Sequence, residues 1–329
     1  MPTSKDIARL AGVSQTTVSR VLLGKPNVRE ETRQKVLSVL DGTGYVANEQ
    51  ARAMRTRRTG TIGVVTGRIT NPFYPELIDA LGTAITGRGL RMTLWASDAD
   101  SGERAAMEAM RGRLVDGVVF TAATKGSPPL AAALRANLPA VLIIRSLDGA
   151  RCDQITSDNL TGGALAAEHF LARGRRDVAV IGGDDGVSTS RERRAGFLDR
   201  LREEGVEVPP EYVIDTDFSH DSAKSAARAL FSEAGGPRAL FCVNDVVAFG
   251  VLDAARERGV AIPRDAVVIG YDDVKMASWD LFDLTTLSQP VEQIAELGVA
   301  KLLSRLDDPT RPFEHHRFQP ELRIRGSAP

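Results

Sequence analysis

Residues 3–22 read TSKDIARLAGVSQTTVSRVL, and this stretch predicts two short helices joined by a tight turn. Thr3 is a favourable N-cap, and Asp6 lies three residues later, where a carboxylate can accept from the free N–H groups of the first turn. Gly12 is expected to end the first helix, because glycine adopts the left-handed conformation without steric cost. Apolar residues at helical spacing predict one buried face on that helix: Ile7, Ala8, Leu10 and Ala11.

The second helix is expected to begin after Ser14 as its cap, and to have a buried face and an exposed polar face. The buried face is predicted to contain Val18, Val21 and Leu22. A helix fits the major groove of duplex DNA, where amide, hydroxyl and guanidinium groups contact base edges. The polar face predicts base contacts from Gln15, Thr16 and Arg20, and phosphate contacts from Ser14, Thr17 and Ser19. The alternative is an ordinary helix pair with a solvated face.

Four motifs occur in order between residues 6 and 65. They are A-x-x-A-G-V-S-x-x-T-V-S-R-V, the E-T-R opening of a third helix, G-Y-x-x-N, and R-T-x-x-T-G-x-I-G-V-V. This segment resembles the head and hinge of the lactose repressor / galactose repressor family of bacterial transcription regulators. The resemblance implies a sequence-specific DNA-binding regulator, most simply a repressor. The third helix is expected over residues 30–42, with Val36, Leu37 and Leu40 in the core of the head.

The resemblance also implies a hinge helix over residues 48–55 that is ordered on operator DNA. Tyr45 is then expected to reach a phosphate, and the hinge contacts would come from Asn48, Ala51, Met54 and Arg55. Met54 stands where the family usually has a leucine that wedges between base steps and kinks the duplex. The alternative is that Met54 only packs a linker helix. Two positions depart from the family pattern, since Ala47 replaces a proline and Arg29 replaces a better capping residue.

Charge separates the first 60 residues from the rest of the chain. They contain eleven Lys and Arg residues and five Asp and Glu residues, a net charge of +6, whereas the whole chain carries −1. The remaining 269 residues therefore carry −7. Cationic side chains on phosphates release counterions, so DNA binding is expected to weaken steeply with salt.

Length and composition exclude several classes of protein. A body of about 270 residues behind the head suits two lobes better than one core. No apolar run of about 18 residues is present, so no membrane span is expected, and MPTSKDIARL does not read as a secretion signal. Cys152 and Cys242 stand apart without a C-x-x-C pair, which favours unpaired thiols in a reducing compartment. The expected location is the cytoplasm, in association with the nucleoid.

The body alternates short apolar runs with amphipathic stretches, which is typical of an α/β fold with doubly wound parallel sheets. Strands are predicted at TIGVVT, MTLWAS, GVVFTA, AVLII, DVAVIGG, YVIDTD, ALFCVND and AVVIGYDD. The two lobes resemble the periplasmic sugar-binding fold that forms the body of the same family. Three passages of the chain between the lobes are expected, near Asn159, Gln289 and Phe318. The expected domains are residues 1–46 for the head, 47–58 for the hinge, 59–159 with 290–317 for one lobe, and 160–289 with 318–329 for the other.

Ligands of such sheets bind beyond the carboxyl ends of the strands. Together with the family resemblance, this rule predicts the effector contacts Asn71, Phe73, Asp98, Thr121, Arg145, Asp158, Ser190, Arg193, Phe218, Asn244 and Asp272. Arg193, Asn244 and Asp272 are expected to form the polar core, between the apolar walls Phe73 and Phe218. Such a set suits a polyhydroxylated ligand, a sugar before a nucleobase or nucleoside. Asp245 is expected only to cap a helix, and Asp273 to be solvated.

Motifs for catalysis are weak. The sequence has no G-x-x-x-x-G-K-[ST] loop and no G-x-S-x-G elbow, and IGGDDG only partly imitates a dinucleotide-binding turn. The four histidines lack the spacing of a zinc site. No catalytic residue, metal or cofactor is therefore expected.

The predicted mechanism joins the head to the body. A homodimer presents two heads to a roughly palindromic operator, and a small effector between the lobes changes their angle and hence the operator affinity. No leucine-heptad helix follows RIRGSAP, which favours a dimer over a tetramer. Two other classes remain open: a solute-binding receptor, and an α/β enzyme acting on a sugar or nucleoside.

Overall fold

The computed structural model describes residues 2–22, 26–44, 58–96, 100–233 and 235–329. Its contacts divide the chain into two units, one ending at Thr59 and the other beginning at Gly60. Six of the expected site residues lie outside the described residues: Tyr45, Asn48, Ala51, Met54, Arg55 and Asp98.

The described residues of the first unit form three helices, α1 (Ser4–Ala11), α2 (Gln15–Leu22) and α3 (Glu30–Thr43). The expected start of α1 is confirmed, because the Thr3 and Asp6 side chains cap each other's backbone N–H groups. Gly12 ends α1 at a φ of 64°. The Ser14 hydroxyl accepts from the backbone N–H of Thr17 at 3.1 Å, as expected of a cap on α2. Arg29 makes no side-chain capping bond to α3.

The three helices share a small core of Ile7, Ala8, Ala11, Val18, Val21, Val36 and Leu40. Two core predictions are wrong, since Leu10 is 56% exposed and Leu37 is 38% exposed. In so small a unit each helix buries only a narrow stripe, and both leucines lie beside that stripe rather than on it.

The second unit contains two six-stranded sheets. The first has the order β11-β5-β4-β3-β1-β2 and is wholly parallel. Its strands are β1 (Thr61–Thr66), β2 (Arg91–Ala96), β3 (Gly117–Phe120), β4 (Ala140–Ile143), β5 (Asp153–Ser157) and β11 (His315–Phe318). Its helices are α4 (Phe73–Thr86), α5 (Asp100–Arg111), α6 (Pro128–Arg135) and α11 (Val291–Asp307).

The second sheet has the order β12-β10-β9-β8-β6-β7, and only β12 runs antiparallel to its neighbour. Its strands are β6 (Val178–Gly183), β7 (Val213–Thr216), β8 (Ala239–Cys242), β9 (Val267–Asp272), β10 (Thr285–Ser288) and β12 (Glu321–Arg323). Its helices are α7 (Asn159–Ala172), α8 (Ser188–Glu203), α9 (His220–Ser232) and α10 (Asp245–Arg258). Two short 3₁₀ helices lie at Pro210–Tyr212 and Lys275–Ser278.

The chain passes between the two sheets three times, at residue 158, residues 289–290 and residues 319–320. Each sheet with its helices forms one lobe, and the three passages connect the lobes. The two-lobed, doubly wound fold expected from the sequence is confirmed. None of the described helices is long and apolar enough to span a membrane.

Two expectations about strands need correction. The apolar run MTLWAS favours a buried strand, but β2 lies at the edge of its sheet and all of its residues are exposed or half-buried. Four further strands, β5, β10, β11 and β12, were not predicted from the sequence. These strands are short and rich in polar residues, so they lack the apolar run that predicts a buried strand.

Candidate functional site

A cleft of about 1380 Å³ opens between the two lobes of the second unit. It lies beyond the carboxyl ends of the central strands, where ligands of open parallel sheets bind. Seven of the expected effector contacts line it: Asn71, Phe73, Arg145, Arg193, Phe218, Asn244 and Asp272.

Arg193 is the centre of the polar network on the wall formed by the second lobe. Its side chain is only 4% exposed, and its guanidinium lies 3.5 Å from the centre of the Tyr271 ring. Nε donates to Asn159 Oδ1 at 2.9 Å, and Nη1 donates to the Val243 carbonyl at 2.7 Å and to Asp272 Oδ1 at 3.1 Å. No described residue accepts a hydrogen bond from Nη2, which leaves that nitrogen for a ligand.

Asp272 ends β9 at the cleft and has a φ of 115°, an unusual conformation for a residue other than glycine. Its Oδ1 also accepts from Gln289 Nε2 at 2.7 Å. Burial raises the pKa of the Asp272 carboxyl to about 6, although Arg193 lowers it. Strained residues of this kind persist where the surrounding structure fixes them, often at ligand sites.

Asn244, rather than Asp245, caps α10, which corrects the sequence prediction for Asp245. Asn244 Oδ1 accepts from the Val247 N–H at 2.9 Å, so its amide nitrogen is the group left for a ligand. Asp245 is buried behind the cleft and accepts from Thr286 Oγ1 at 2.6 Å and from the Val274 N–H at 2.9 Å. Burial and the nearby Asp272 raise the pKa of Asp245 well above its usual range.

Asp273 was expected to be solvated, but it is half-buried and forms an ion pair with Arg325 at 2.6 Å. Its carboxylate is therefore held away from the cleft, while that of the preceding Asp272 faces the cleft wall.

Arg145 is the main polar group on the wall formed by the first lobe. It follows Ile144, which has a φ of 71° and lies at the centre of a three-residue turn closed by the Arg145 N–H and the Ile143 carbonyl at 2.8 Å. A positive φ is rare for a β-branched residue. The turn directs Arg145 to the Ala122 carbonyl at 2.7 Å and to the Tyr74 hydroxyl at 3.3 Å.

The aromatic walls are fixed by local contacts. Asn71 Oδ1 accepts from the Phe73 N–H at 3.0 Å at the start of α4, and the Phe73 and Tyr74 rings pack edge to face at 5.8 Å. On the other lobe Phe218 has a φ of 63° and packs its ring on Gly183. A Cβ on Gly183 would lie 2.1 Å from that ring.

Gly183→Ala is expected to lower the free energy of unfolding by about 1–3 kcal/mol, because the new methyl group must displace the Phe218 ring. Urea titration followed by tryptophan fluorescence measures this. Gly82→Ala is the matched control, since its nearest neighbour would lie 3.7 Å away. Equal free energies of unfolding in the two variants would show that the position of the Phe218 ring does not require a glycine at residue 183.

Three expected effector contacts are not brought to the cleft, because their side chains bond to nearby groups. Thr121 Oγ1 donates to Thr66 Oγ1 at 3.1 Å between buried strands. Asp158 caps α7 and accepts from Gln319 Nε2 at 3.2 Å. The Ser190 hydroxyl exchanges hydrogen bonds with both backbone groups of Gly183, at 2.9 and 3.0 Å.

The polar face of α2 is exposed at Gln15, Thr16 and Arg20. The hydroxyls of Ser14 and Thr17 lie 2.9 Å apart and bond to each other at the start of the helix. The side chains expected to contact bases are thus accessible to DNA, whereas these two hydroxyls also stabilise the helix itself.

Comparison with known proteins agrees with both units. A family model described as bacterial regulatory proteins, lacI family, matches residues 3–48, and one described as a periplasmic binding protein-like domain matches residues 167–328. The HTH-type transcriptional repressor PurR of Photobacterium profundum is 32% identical over 330 residues, covering all of this chain and 99% of the relative. The chain belongs to the LacI family.

Two other regulators match over their full length. The ribose operon repressor of Escherichia coli is 32% identical over 330 residues, covering all of both chains. A solved complex of the transcriptional regulator CelR with cellobiose has a TM-score of 0.77 at 28% identity, covering 99% of this chain and all of that one. This LacI-family chain is therefore a DNA-binding transcriptional regulator, with a helix-turn-helix head and an effector-binding body.

Residues of the cleft and of the hydrogen-bond network behind it were missed by sequence reasoning in this LacI-family chain. Tyr74 lines the cleft and bonds to Arg145, but it lies in an apolar helical stretch that reads as core. Gln289 and Asn159 were expected only to mark passages between the lobes, yet each bonds to the Arg193–Asp272 pair. Their positions at the carboxyl edges of the sheets were the available signal.

Proposed function

We propose that this regulator is a repressor whose operator affinity is controlled by a sugar bound between the lobes, with a nucleobase or nucleoside as the second choice. The observation that carries this proposal is the set of Arg193, Asp272 and Asn244 between the aromatic walls Phe73 and Phe218. Arg193 and Asn244 offer N–H donors and Asp272 offers a carboxylate acceptor. Vicinal hydroxyl groups both donate and accept, so a sugar satisfies all three.

The proposed assignment of residues follows from these positions. Gln15, Thr16 and Arg20 would read base edges, with Ser14, Thr17 and Ser19 on phosphates. The residues between the head and the body, 47–58, would form the hinge on operator DNA. Residues 59–159 with 290–317 and residues 160–289 with 318–329 would be the two lobes that enclose the effector.

The proposed mechanism relies on two copies of the chain. A homodimer presents two α2 helices to a roughly palindromic operator, because a two-fold protein matches a two-fold site. The sugar binds one arrangement of the lobes more tightly than the other, and this difference in affinity sets the change in operator affinity. The relatives are repressors by name, which supports repression.

The proposal places the protein in the cytoplasm with the nucleoid and assigns it no enzymatic activity. A basic head suits a DNA partner better than a transporter, which argues against a solute receptor. The relatives that match over the full length are named as repressors, which argues against an enzymatic function.

The experiment is a selection of genomic fragments on the purified protein at low and moderate salt, with and without each of ribose, glucose, galactose, cellobiose and adenosine. We expect selective retention of a few fragments, including the upstream region of the protein's own gene, and a change in retention with one sugar. Retention without sequence preference would favour the receptor, and conversion of a bound sugar would favour the enzyme.

Binding of the effector is expected to depend on pH through Asp272. Its pKa of about 6 means that a proton occupies the carboxyl at lower pH and removes an acceptor for the ligand. Affinity for the sugar should be full above pH 7 and about tenfold weaker at pH 5, one unit below that pKa. Calorimetry at pH 7.5, 6 and 5 measures this, and Asp272→Asn should flatten the profile. A flat profile in the unchanged protein would remove the Asp272 carboxylate from the contact.

A further inference from the structure

A chain of hydrogen bonds joins the first two passages between the lobes, and a separate hydrogen bond lies at the third. Arg193 bonds to Asn159, next to the first passage, and through Asp272 to Gln289 in the second. Gln319 Nε2 in the third passage donates to Asp158 Oδ2 at 3.2 Å.

Glu192 connects this chain to the other lobe. It precedes Arg193 on α8, and its Oε2 accepts from Asn159 Nδ2 at 3.1 Å. Its Oε1 accepts from Ser146 Oγ at 3.0 Å. Ser146 belongs to the first lobe, is buried, and follows the cleft residue Arg145. One carboxylate therefore ties the segment after Arg145 to the segment that carries Arg193.

The bond between Ser146 and Glu192 joins the lobes themselves. A rotation of one lobe against the other must stretch or break it, together with the bond from the Ser146 N–H to Ser188 Oγ at 3.0 Å. Glu192 does not line the cleft, so a bound ligand can leave it untouched. Its two bonds nevertheless depend on how the lobes and the Arg193–Asn159 pair are arranged.

We infer that Glu192 is a positioning residue that couples the state of the effector cleft to the relative arrangement of the lobes. The inference rests on the proposed function, because it assigns a residue to the response of that cleft. A ligand that pulls on Arg193 shifts Asn159, and Glu192 passes this shift to Ser146 on the facing lobe. Coupling of this kind is measured as the ratio of operator affinities with and without effector.

Glu192→Gln tests the assignment, because glutamine keeps the shape but replaces the charged carboxylate with a neutral amide, so the bonds to Ser146 and Asn159 lose their charge assistance. The probes are the best-retained genomic fragment and the sugar that changes its retention most. We expect the ratio of operator Kd values with and without that sugar to fall at least about fivefold. Operator affinity without sugar and the midpoint of thermal unfolding should stay close to those of the unchanged protein.

Two further variants separate coupling from general stability. Ser146→Ala should reproduce the loss, and combining it with Glu192→Gln should add little, because both changes act on the same hydrogen bond. Glu203→Gln on the same helix is the matched control, since Glu203 is exposed and pairs with Arg200 at 3.4 Å. If the ratio of operator Kd values with and without sugar is the same in Glu192→Gln and in Glu203→Gln, the inference is overturned. It is also overturned if that ratio falls only as far as the midpoint of thermal unfolding falls.

A readout without ligand keeps the two proposals distinguishable. If no sugar in the panel changes operator binding, the proposed sugar response fails, and amide hydrogen exchange decides the role of Glu192. Exchange in the peptide that carries residues 145–148 should be faster in Glu192→Gln than in Glu203→Gln. Equal rates would overturn the inference even if a sugar response exists.

Discussion

Asp272→Asn is expected to weaken strongly the response of operator binding to the sugar while leaving operator affinity without sugar nearly unchanged. Asparagine retains one oxygen for Arg193 and Gln289, and it tolerates a positive φ better than most residues. It replaces the second carboxylate oxygen with an amide donor, so the charged acceptor for a sugar hydroxyl is lost. A hydrogen bond to a charged group contributes about 1.5–3 kcal/mol, so sugar affinity should fall about ten- to 150-fold.

The neighbouring residue provides a matched control for this prediction. Asp273→Asn makes the same chemical change at a position with a φ of 54°, where the carboxylate faces Arg325 instead of the cleft. Calorimetry measures sugar affinity, and fluorescence anisotropy measures operator affinity with and without the sugar. Equal sugar affinity in the two variants would remove Asp272 from the effector site.

Gln15→Ala is expected to relax base preference at one position of each operator half-site, at a cost of about 1–3 kcal/mol for the preferred base. Gln15 is the first residue of α2 and is exposed, so its amide can reach a base edge without rearrangement. Affinity for operators with the other bases at that position should change little. Binding to a set of single-base operator variants measures the difference.

Gln34→Ala is the control for this variant, because Gln34 is exposed on α3 and bonds to Glu30 at 2.8 Å. It should leave both affinity and base preference unchanged. If Gln15→Ala instead weakens all operator variants equally, Gln15 contacts a phosphate and the base readout belongs to another residue of α2.

The helices of the head could be predicted because their signals are local. Thr3, Asp6 and Gly12 each act through backbone groups within a few residues, and the structure confirms all three. The degree of burial was less predictable. Leu10 fits a helical pattern but lies outside the shared core, because the pattern does not say how wide a stripe the neighbouring helices cover.

The cleft was predictable in position but less so in detail. Thr121, Asp158 and Ser190 follow strands at the edge of the sheets where the cleft lies, as the rule on strand ends requires. Their side chains nevertheless bond to nearby polar groups instead of facing the cleft. Short side chains with local partners often do so. The conformation of Ile144, which directs Arg145, depends on tertiary contacts that no sequence pattern shows.

The adjacent pairs Asn244–Asp245 and Asp272–Asp273 illustrate the same limit. In each pair one residue lines the cleft and the other bonds elsewhere, to Thr286 or to Arg325. Sequence reasoning identified the pairs, but the direction of each side chain depends on groups that are distant along the chain.

The most direct test is a titration of the best-retained genomic fragment with the unchanged protein, at one salt concentration, with and without the saturating sugar. A LacI-family regulator with an effector between its lobes should show operator Kd values that differ at least about fivefold between the two titrations, and sugar affinities that differ by the same factor with and without DNA. Operator Kd values that coincide for every sugar and nucleoside offered would contradict control of DNA binding from the cleft.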